Sequence, residues 1–402
     1  MRVPSFHAFR SGRASVVVLD PTTKLWSWGS NNLGQLGLGN TTNRSSPVQV
    51  GTLTTWSNVF GGTQCSFATK TDGTLWAWGY NGVGQLGLGN TTSRSSPVQV
   101  GALTDWSDAK ISSRLAATFA VKSNGTLWAW GSGYRGALGQ GNTTAKSSPV
   151  QVGTLTTWAE VSVGRANVLA VKTDGTLWSW GFAIYGGLGL GDLTDRSSPV
   201  QIGTLTNWSK VAAISCGGLA TKTDGTLWAW GDNRVGQLGQ GNTTNKSSPV
   251  QVGTLTNWSK IAGGGTKYSG GGGGYIYGFF SSIKTDGTLW SWGLNAYGHL
   301  GLGNTTNRSS PVQVGALTDW SKLSINQDTT YKNTGNMTAL IKTNGTLWAW
   351  GRRYNGNFAD GSANNRVSSP VQVLSGTSGW DWVSVISSNQ SGDQSIIAIR
   401  TS

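Results

Sequence analysis

The word Trp-x-Trp-Gly occurs seven times in this chain, starting at Trp26, Trp76, Trp128, Trp178, Trp228, Trp290 and Trp348, at intervals of 50, 52, 50, 50, 62 and 58 residues. Self-similarity at a fixed period of this size marks a repeat architecture and restricts the fold more than any other feature. A second word, Ser-Ser-Pro-Val-Gln, keeps the same beat at Pro47, Pro97, Pro149, Pro199, Pro249, Pro311 and Pro370, using seven of the nine prolines. Fourteen of the 22 tryptophans form the Trp-x-Trp pairs. The other eight (Trp56, Trp106, Trp158, Trp208, Trp258, Trp320, Trp380 and Trp382) follow the Gln-Val segment, so every indole has a place set by the repeat.

Each unit reads as four short strands, in the second copy "WSNVFG", "SFATK", "TLWAWG" and "SPVQVG". Thr-Asp-Gly-Thr joins the second to the third as a tight hairpin whose Gly supplies a positive φ. Side chains alternate along a strand, so Trp76 and Trp78 share one face while Leu75 and Ala77 share the other. Both faces are apolar and both must be covered. A four-stranded sheet stacked between copies of itself covers both, which is a propeller blade. Composition agrees: charged residues are only 11%, against roughly 25% in a typical soluble domain, and apolar residues nowhere hold helical spacing over three turns. A buried Trp withdraws about 150–250 Å² from water, roughly 4–6 kcal/mol gross, so indole stacking between blades is expected to be the largest stabilising term.

Asp-Gly-Thr-Leu-Trp-Ala-Trp-Gly, followed by Asn81-x-x-Gly-Gln-Leu-Gly87 and then Pro-Val, resembles the regulator of chromosome condensation repeat family over essentially the whole chain. The near-identity of the copies is closer to bacterial and phage-borne members. The resemblance implies an all-β, seven-bladed β-propeller of four-stranded antiparallel blades, here one domain over residues 1–402. Closure is unusual. The N-terminus aligns as a full copy, with Phe6 at the Trp56 position and Val17 at the Phe67 position, yet residues 376–402 add a further half-copy, "WDWVSVIS" and "SIIAIR". The C-terminal segment is expected to pair with the first blade and close the ring.

Most apparent sites dissolve into the repeat. The "GQLGLGN" loop follows no βα unit and opens no helix, so a structural turn is favoured over a phosphate cradle. The acids Asp72, Asp174, Asp224 and Asp286 sit in hairpins where other copies use Asn124 and Asn344, which acid–base catalysis would not tolerate. The sequence supplies no Ser, Cys or carboxylate motif around His7 or His299, and Cys65 and Cys216 lie in different repeats. No catalytic residue, metal site, cofactor or disulfide framework is expected. The Asn-x-Ser/Thr triplets read as turn chemistry.

Formal charge is +14, which suits an anionic partner. About half of the positive charge recurs once per repeat, before the hairpin (Lys70, Lys122, Lys172, Lys222, Lys284, Lys342) and before Ser-Ser-Pro (Arg44, Arg94, Lys146, Arg196, Lys246, Arg308, Arg366). That spread reads as a solvated surface and makes nucleic acid an unfavoured partner. The N-terminus shows no apolar signal-peptide core, and no 18-residue apolar run exists.

Function is expected where copies differ. From the post-strand Trp to the hairpin Asp or Asn the regular copies count 16 residues, the third 18, the sixth 28 and the seventh 24. These insertions fall between first and second strands, on one face of the disc, and form a crown of long loops. The candidate binding residues are Lys267, Tyr268, Tyr275, Tyr277, Phe279 and Phe280 of the sixth copy and Asp328, Tyr331 and Lys332 of the seventh, an aromatic centre with a polar rim. Tyr277 to Phe280 reads equally well as an elongated strand with half its aromatics buried. The expectation is a non-catalytic structural or binding propeller, in a virion or on a bacterial surface, acting on a protein partner or surface glycan. Guanine-nucleotide exchange or chromatin binding, as in the eukaryotic founder of the family, is the alternative, although neither a basic N-terminal tail nor an exchange wedge is recognisable. Light sensing lacks the Gly-Trp-Arg-His-Thr signature of the plant photoreceptors of this fold, and a polysaccharide-acting enzyme lacks a carboxylate pair.

Overall fold

A computed structural model of the protein describes residues 23–106, 110–114, 116–268, 275–325, 337–353, 357–359, 366–387 and 394–401, with side chains for all of these except 266–268 and 275–277. Blade two shows how the sequence makes one unit. Its strands Trp56–Gly61, Cys65–Lys70, Leu75–Gly79 and Arg94–Gln99 pair antiparallel in chain order. At the hairpin Gly73 has φ +81, and a Cβ there would stand 1.8 Å from the Thr104 carbonyl oxygen, so only glycine fits. Asp72 Oδ1 accepts from the Thr74 amide (2.9 Å) and hydroxyl (2.6 Å), and Thr74 Oγ1 accepts from Trp76 Nε1 (2.8 Å). Asp-Gly-Thr-x-Trp is therefore one hydrogen-bonded unit. Asn124 serves equally, because its amide oxygen accepts the same two bonds from Thr126 at 3.1 and 2.7 Å.

Seven such four-stranded sheets make the disc. The core is divided among the boundaries between blades. Leu25, Val50, Ile397 and Ile399 of blade one, for example, face Trp56, Ala68 and Trp78 of blade two. At every boundary the second Trp of the pair is buried and donates its Nε1–H backwards. Trp28, Trp78, Trp130, Trp180, Trp230, Trp292 and Trp350 reach the backbone carbonyls of Asn357, Gln35, Gln85, Ala137, Gly187, Gln237 and His299, at 2.7–3.2 Å. The glycine-rich loop is shaped for that indole: Gly37 has φ +74, and a Cβ there would lie 2.7 Å from Trp78 Nε1. The same loop runs on to the next blade's outer strand, where the Gly39 amide donates to the Ser95 carbonyl (2.8 Å). The loop is a structural turn, as its sequence suggested.

Closure follows the expectation. Trp380–Ile386 and Ser395–Arg400 complete blade one, Ser395–Arg400 pairing with Lys24–Gly29 from Lys24↔Arg400 to Gly29↔Ser395. The N-terminal copy that contains Phe6 and Val17 lies outside the described residues.

The first strands of all seven blades surround one axial cavity of about 240 Å³. Serine hydroxyls link several of them: Ser112, Ser162, Ser324 and Ser384 accept from the amides of Val163, Ala213, Val385 and Gly61 at 2.7–3.1 Å. Register fixes the two faces. Gly79 pairs with both Cys65 and Arg94, so the turns between first and second strands share a face with the loops after Trp-x-Trp-Gly. This is the crown face. Trp56 pairs with Lys70, which places the Asp-Gly-Thr hairpins on the opposite, hairpin face.

Trp28→Phe keeps an aromatic ring but leaves the Asn357 carbonyl without its donor at the ring closure. A loss of about 1–3 kcal/mol is expected. Trp28→Ala adds a cavity and should cost about 3–5 kcal/mol. Urea unfolding of the two variants checks the order; a Trp28→Phe variant as stable as the parent would mean that the bond contributes nothing.

Candidate functional site

The sixth-copy insertion is largely strand. Trp258–Tyr268 and Tyr275–Lys284 form one long hairpin whose ladder runs through Thr266↔Tyr277, Lys267↔Ile276 and Tyr268↔Tyr275. Phe279 and Phe280 are fully buried on opposite sides of it. Phe280 packs on Trp292 at 6.0 Å in the apolar wall between blades five and six, and Phe279 stacks on His299 at 5.2 Å. These two candidates are wall residues and cannot grip a partner, because an alternating strand covered on both faces buries both. The hairpin places Lys267, Tyr268, Tyr275 and Tyr277 near its tip. Asp328, Tyr331 and Lys332 lie outside the described residues.

The per-repeat lysines also depart from expectation. Lys70, Lys122, Lys172, Lys222, Lys284 and Lys342 are buried. Each ammonium lies over two indoles, Lys70 Nζ at 3.6 Å from the Trp76 ring centre and 5.1 Å from that of Trp56. Lys122 also meets Asp105 at 2.8 Å, and Lys342 meets Asp319 at 3.3 Å. Burial pulls Lys70, Lys172 and Lys284 below the usual lysine range. These lysines form indole cages, with cation–π attraction offsetting part of the lost hydration. The second set, Arg44, Arg94, Lys146, Arg196, Lys246, Arg308 and Arg366, opens each outer strand at its crown end and is half-buried or exposed.

A groove on the crown face was not expected. Arg135, Phe182, Ile184, Tyr185, Leu193 and Asp195 line a recess of about 760 Å³ across neighbouring blades. The Arg135 guanidinium lies 4.8 Å from the Phe182 ring centre and 3.2 Å from Asp195 Oδ2. Arg234 lies 4.3 Å from the Tyr185 ring centre and is clamped by Asp232 through bonds of 2.7 and 2.9 Å. Leu193 is 67% exposed and Tyr134, beside the groove, 49%.

The local cause is the loss of one asparagine. In regular copies a buried Asn ties the loop: Asn81 Nδ2 donates to the Asn90 and Thr92 carbonyls, and its Oδ1 accepts from the Leu86 amide. Gly133 and Ala183 stand at that position in the third and fourth copies. There the loop folds into 3-10 turns, Tyr134–Gly136 and Ile184–Gly186, with Arg135 and Tyr185 at φ 58 and 57. Left-handed backbone at a non-glycine residue costs of order 1–3 kcal/mol and concentrates at functional sites. The signal was present in the sequence as Asn→Gly and Asn→Ala departures, but counting insertions could not see it.

Among the described residues no group of three or more His, Cys, Asp or Glu could hold a metal ion, and no helix is long and apolar enough to cross a membrane. Cys65 and Cys216 are buried and free, and burial pushes both thiols up to about 12.

With this geometry in view, the family model "Regulator of chromosome condensation (RCC1) repeat" matches residues 24–69, 72–116, 124–171, 174–221, 224–266 and 286–325. The chain belongs to the RCC1 repeat family. A stretch of 85 residues is 30% identical to the ultraviolet-B receptor UVR8 of Arabidopsis thaliana, covering 21% of this chain and 18% of the receptor. Human WBSCR16 superposes with a TM-score of 0.75 at 19% identity, over 94% of this chain and 99% of that one. Yeast RCC1 (Prp20), in a crystal structure with Kap60, gives 0.76 at 16% identity, over 100% of this chain and 97% of that one. A second Prp20p structure from Saccharomyces cerevisiae, whose description concerns binding to Gsp1p and histones, gives 0.73 at 17% identity, over 95% and 92%. At these identities the likeness establishes the RCC1 fold.

Hydrogen bonds from the Thr74, Thr176, Thr226 and Thr288 hydroxyls hold Asp72, Asp174, Asp224 and Asp286 below the usual carboxylate range. A carboxylate depressed in the folded state stabilises above its unfolded pKa, and that contribution is lost as pH falls through the folded value, here from about pH 4 downwards. Replacing all four by Asn, the residue of the third and seventh copies, should leave the fold intact and flatten this acid limb. Urea midpoints at two pH values, one on each side of the limb, check it.

Proposed function

We propose that this RCC1-family propeller is a non-catalytic binding scaffold that docks a protein partner on its crown face, anchored in the groove of Arg135, Phe182, Tyr185 and Leu193. The observation that carries this reading is the pair of left-handed residues, Arg135 and Tyr185, lining one exposed aromatic groove. Three copies depart from the repeated loop, the third, fourth and seventh, and in the third and fourth the left-handed residues line one groove. Tyr and Arg are also the side chains most enriched at the energetic centres of protein interfaces. The basic residues at the crown ends of the outer strands favour a partner with an acidic surface. That yeast Prp20p is described by its binding to Gsp1p and histones fits a disc that takes protein partners. Near-identical copies and low charge density support placement in a larger assembly, a virion or a cell-surface structure.

Tyr185→Gly and Arg135→Gly separate strain from function. Each releases a left-handed side chain, so thermal stability should rise by the equivalent of about 1 kcal/mol or hold level, while cross-linking to the partner in the native source should fall sharply. Unchanged cross-linking in both variants, with loss on Tyr275→Ser at the hairpin tip, would move the docking site to the sixth-copy insertion and sink the groove assignment.

A further inference from the structure

The axial opening on the hairpin face has a chemistry of its own. One register position on the seven first strands, one residue outward from those that line the axial cavity, carries Asn58, Lys110, Glu160, Lys210, Lys260, Lys322 and Trp382. Their ladder partners are Thr69, Val121, Val171, Thr221, Ile283, Ile341 and Ile399. Among the described residues the ring therefore holds four lysines, and two carboxylates answer them. Glu160 Oε1 accepts from Lys110 at 2.8 Å and from Lys210 at 2.7 Å, and Asp381 acts on Lys322 through its charge.

Among these described groups two positive charges remain in excess. Lys110, Lys260 and Lys322 each also donate to a backbone carbonyl of the next blade, those of Ala159, Ser321 and Asp381. A lysine ammonium has three donors, so Lys260 and Lys322 keep donor capacity beyond these bonds. Burial holds both below the usual lysine range, and the charge of Lys260 depresses Lys322 further. The two ammoniums oppose each other, and a bound anion would relieve this. Trp382, 37% exposed, lies with its ring centre 5.1 Å from Lys322 Nζ. The cavity wall directly beneath combines Ile111, Val211, Ile261 and Leu323 with the serines Ser112, Ser162 and Ser324. The cavity of about 240 Å³ below it is narrow, which suits a ligand seated on the mouth.

We propose that this lysine ring is a binding site for one compact polyvalent phosphate-type oxyanion, held on the propeller axis by Lys210, Lys260 and Lys322 and limited in affinity by Glu160. Lysine suits such a ligand as a compact, rotatable point charge that can follow tetrahedral oxygens from several directions. The site lies on the face opposite the docking groove and does not depend on it.

Titration calorimetry of the full chain with inorganic tripolyphosphate tests this. One site per chain is expected. Lys260→Met with Lys322→Met should weaken binding by about tenfold or more. Glu160→Gln frees two ammoniums and should tighten it about fivefold. Lys246→Met, on an outer strand at the crown end, should change nothing. Should the double variant fail to fold, because its lysines also clip neighbouring blades, the gain from Glu160→Gln decides alone. The proposal is overturned by absence of binding, by several equivalent sites weakened as much by Lys246→Met, by a Glu160→Gln variant no tighter than the parent, or by a pentaglutamate peptide binding as tightly as tripolyphosphate.

Discussion

The structure depends on a single hydrogen bond made seven times, the indole N–H of the second Trp donated to a backbone carbonyl of the preceding blade. No extended ladder joins one blade to the next, so their relative position rests on side-chain packing and on isolated hydrogen bonds such as Gly39 to Ser95. Apolar contact is nondirectional and would let sheets slide. A buried donor aimed at a buried carbonyl does not, because either group left unpaired costs more than the bond contributes. The glycine-rich loop exists to present that carbonyl, and its glycines keep clear of the ring that reaches it. Trp28 and Asn357 make the same bond between the first and last blades, which ties closure to the rule that sets every other boundary.

This arrangement leaves the loops of the crown face free to vary. Where the tying asparagine is kept, as at Asn31, Asn81, Asn233 and Asn295, its side chain satisfies the loop's own backbone. Where it is lost, at Gly133 and Ala183, the carbonyls of Ala137 and Gly187 still meet their tryptophans, so the pin survives while the surface of the loop changes. Strain at Arg135 and Tyr185 is tolerated because the blades beneath are fixed independently. Surface variation here comes from local exceptions on a scaffold that does not need the residues replaced.

Charge follows the same division. A lysine before the hairpin lies against indoles, one before Ser-Ser-Pro lies near the crown rim, and one soon after the strand-opening Trp stands on the ring of first strands and reaches the next blade. The composition that gives +14 cannot separate these fates. The first needs the antiparallel pairing Trp56↔Lys70, and the last needs seven separated strands brought round one axis.

The sequence by itself determined the repeat, the four strands of each unit, the tight hairpin at Thr-Asp-Gly-Thr, and the family. Those features are local, written within about 50 residues and copied. It also put the crown insertions on one face, since strand alternation carries direction, and it implied that the C-terminal half-copy completes blade one. Tertiary structure alone decided which aromatics of the sixth copy are wall: Phe279 and Phe280 read like a grip until the neighbouring Trp292 and His299 are seen to cover them. It likewise decided that Lys70 is caged, that Arg135 meets Phe182 from another repeat, and that Lys260 and Lys322 occupy one ring of first-strand positions. Contacts between copies arise from ring closure, and a sequence read one repeat at a time has no coordinate for the distance between blades.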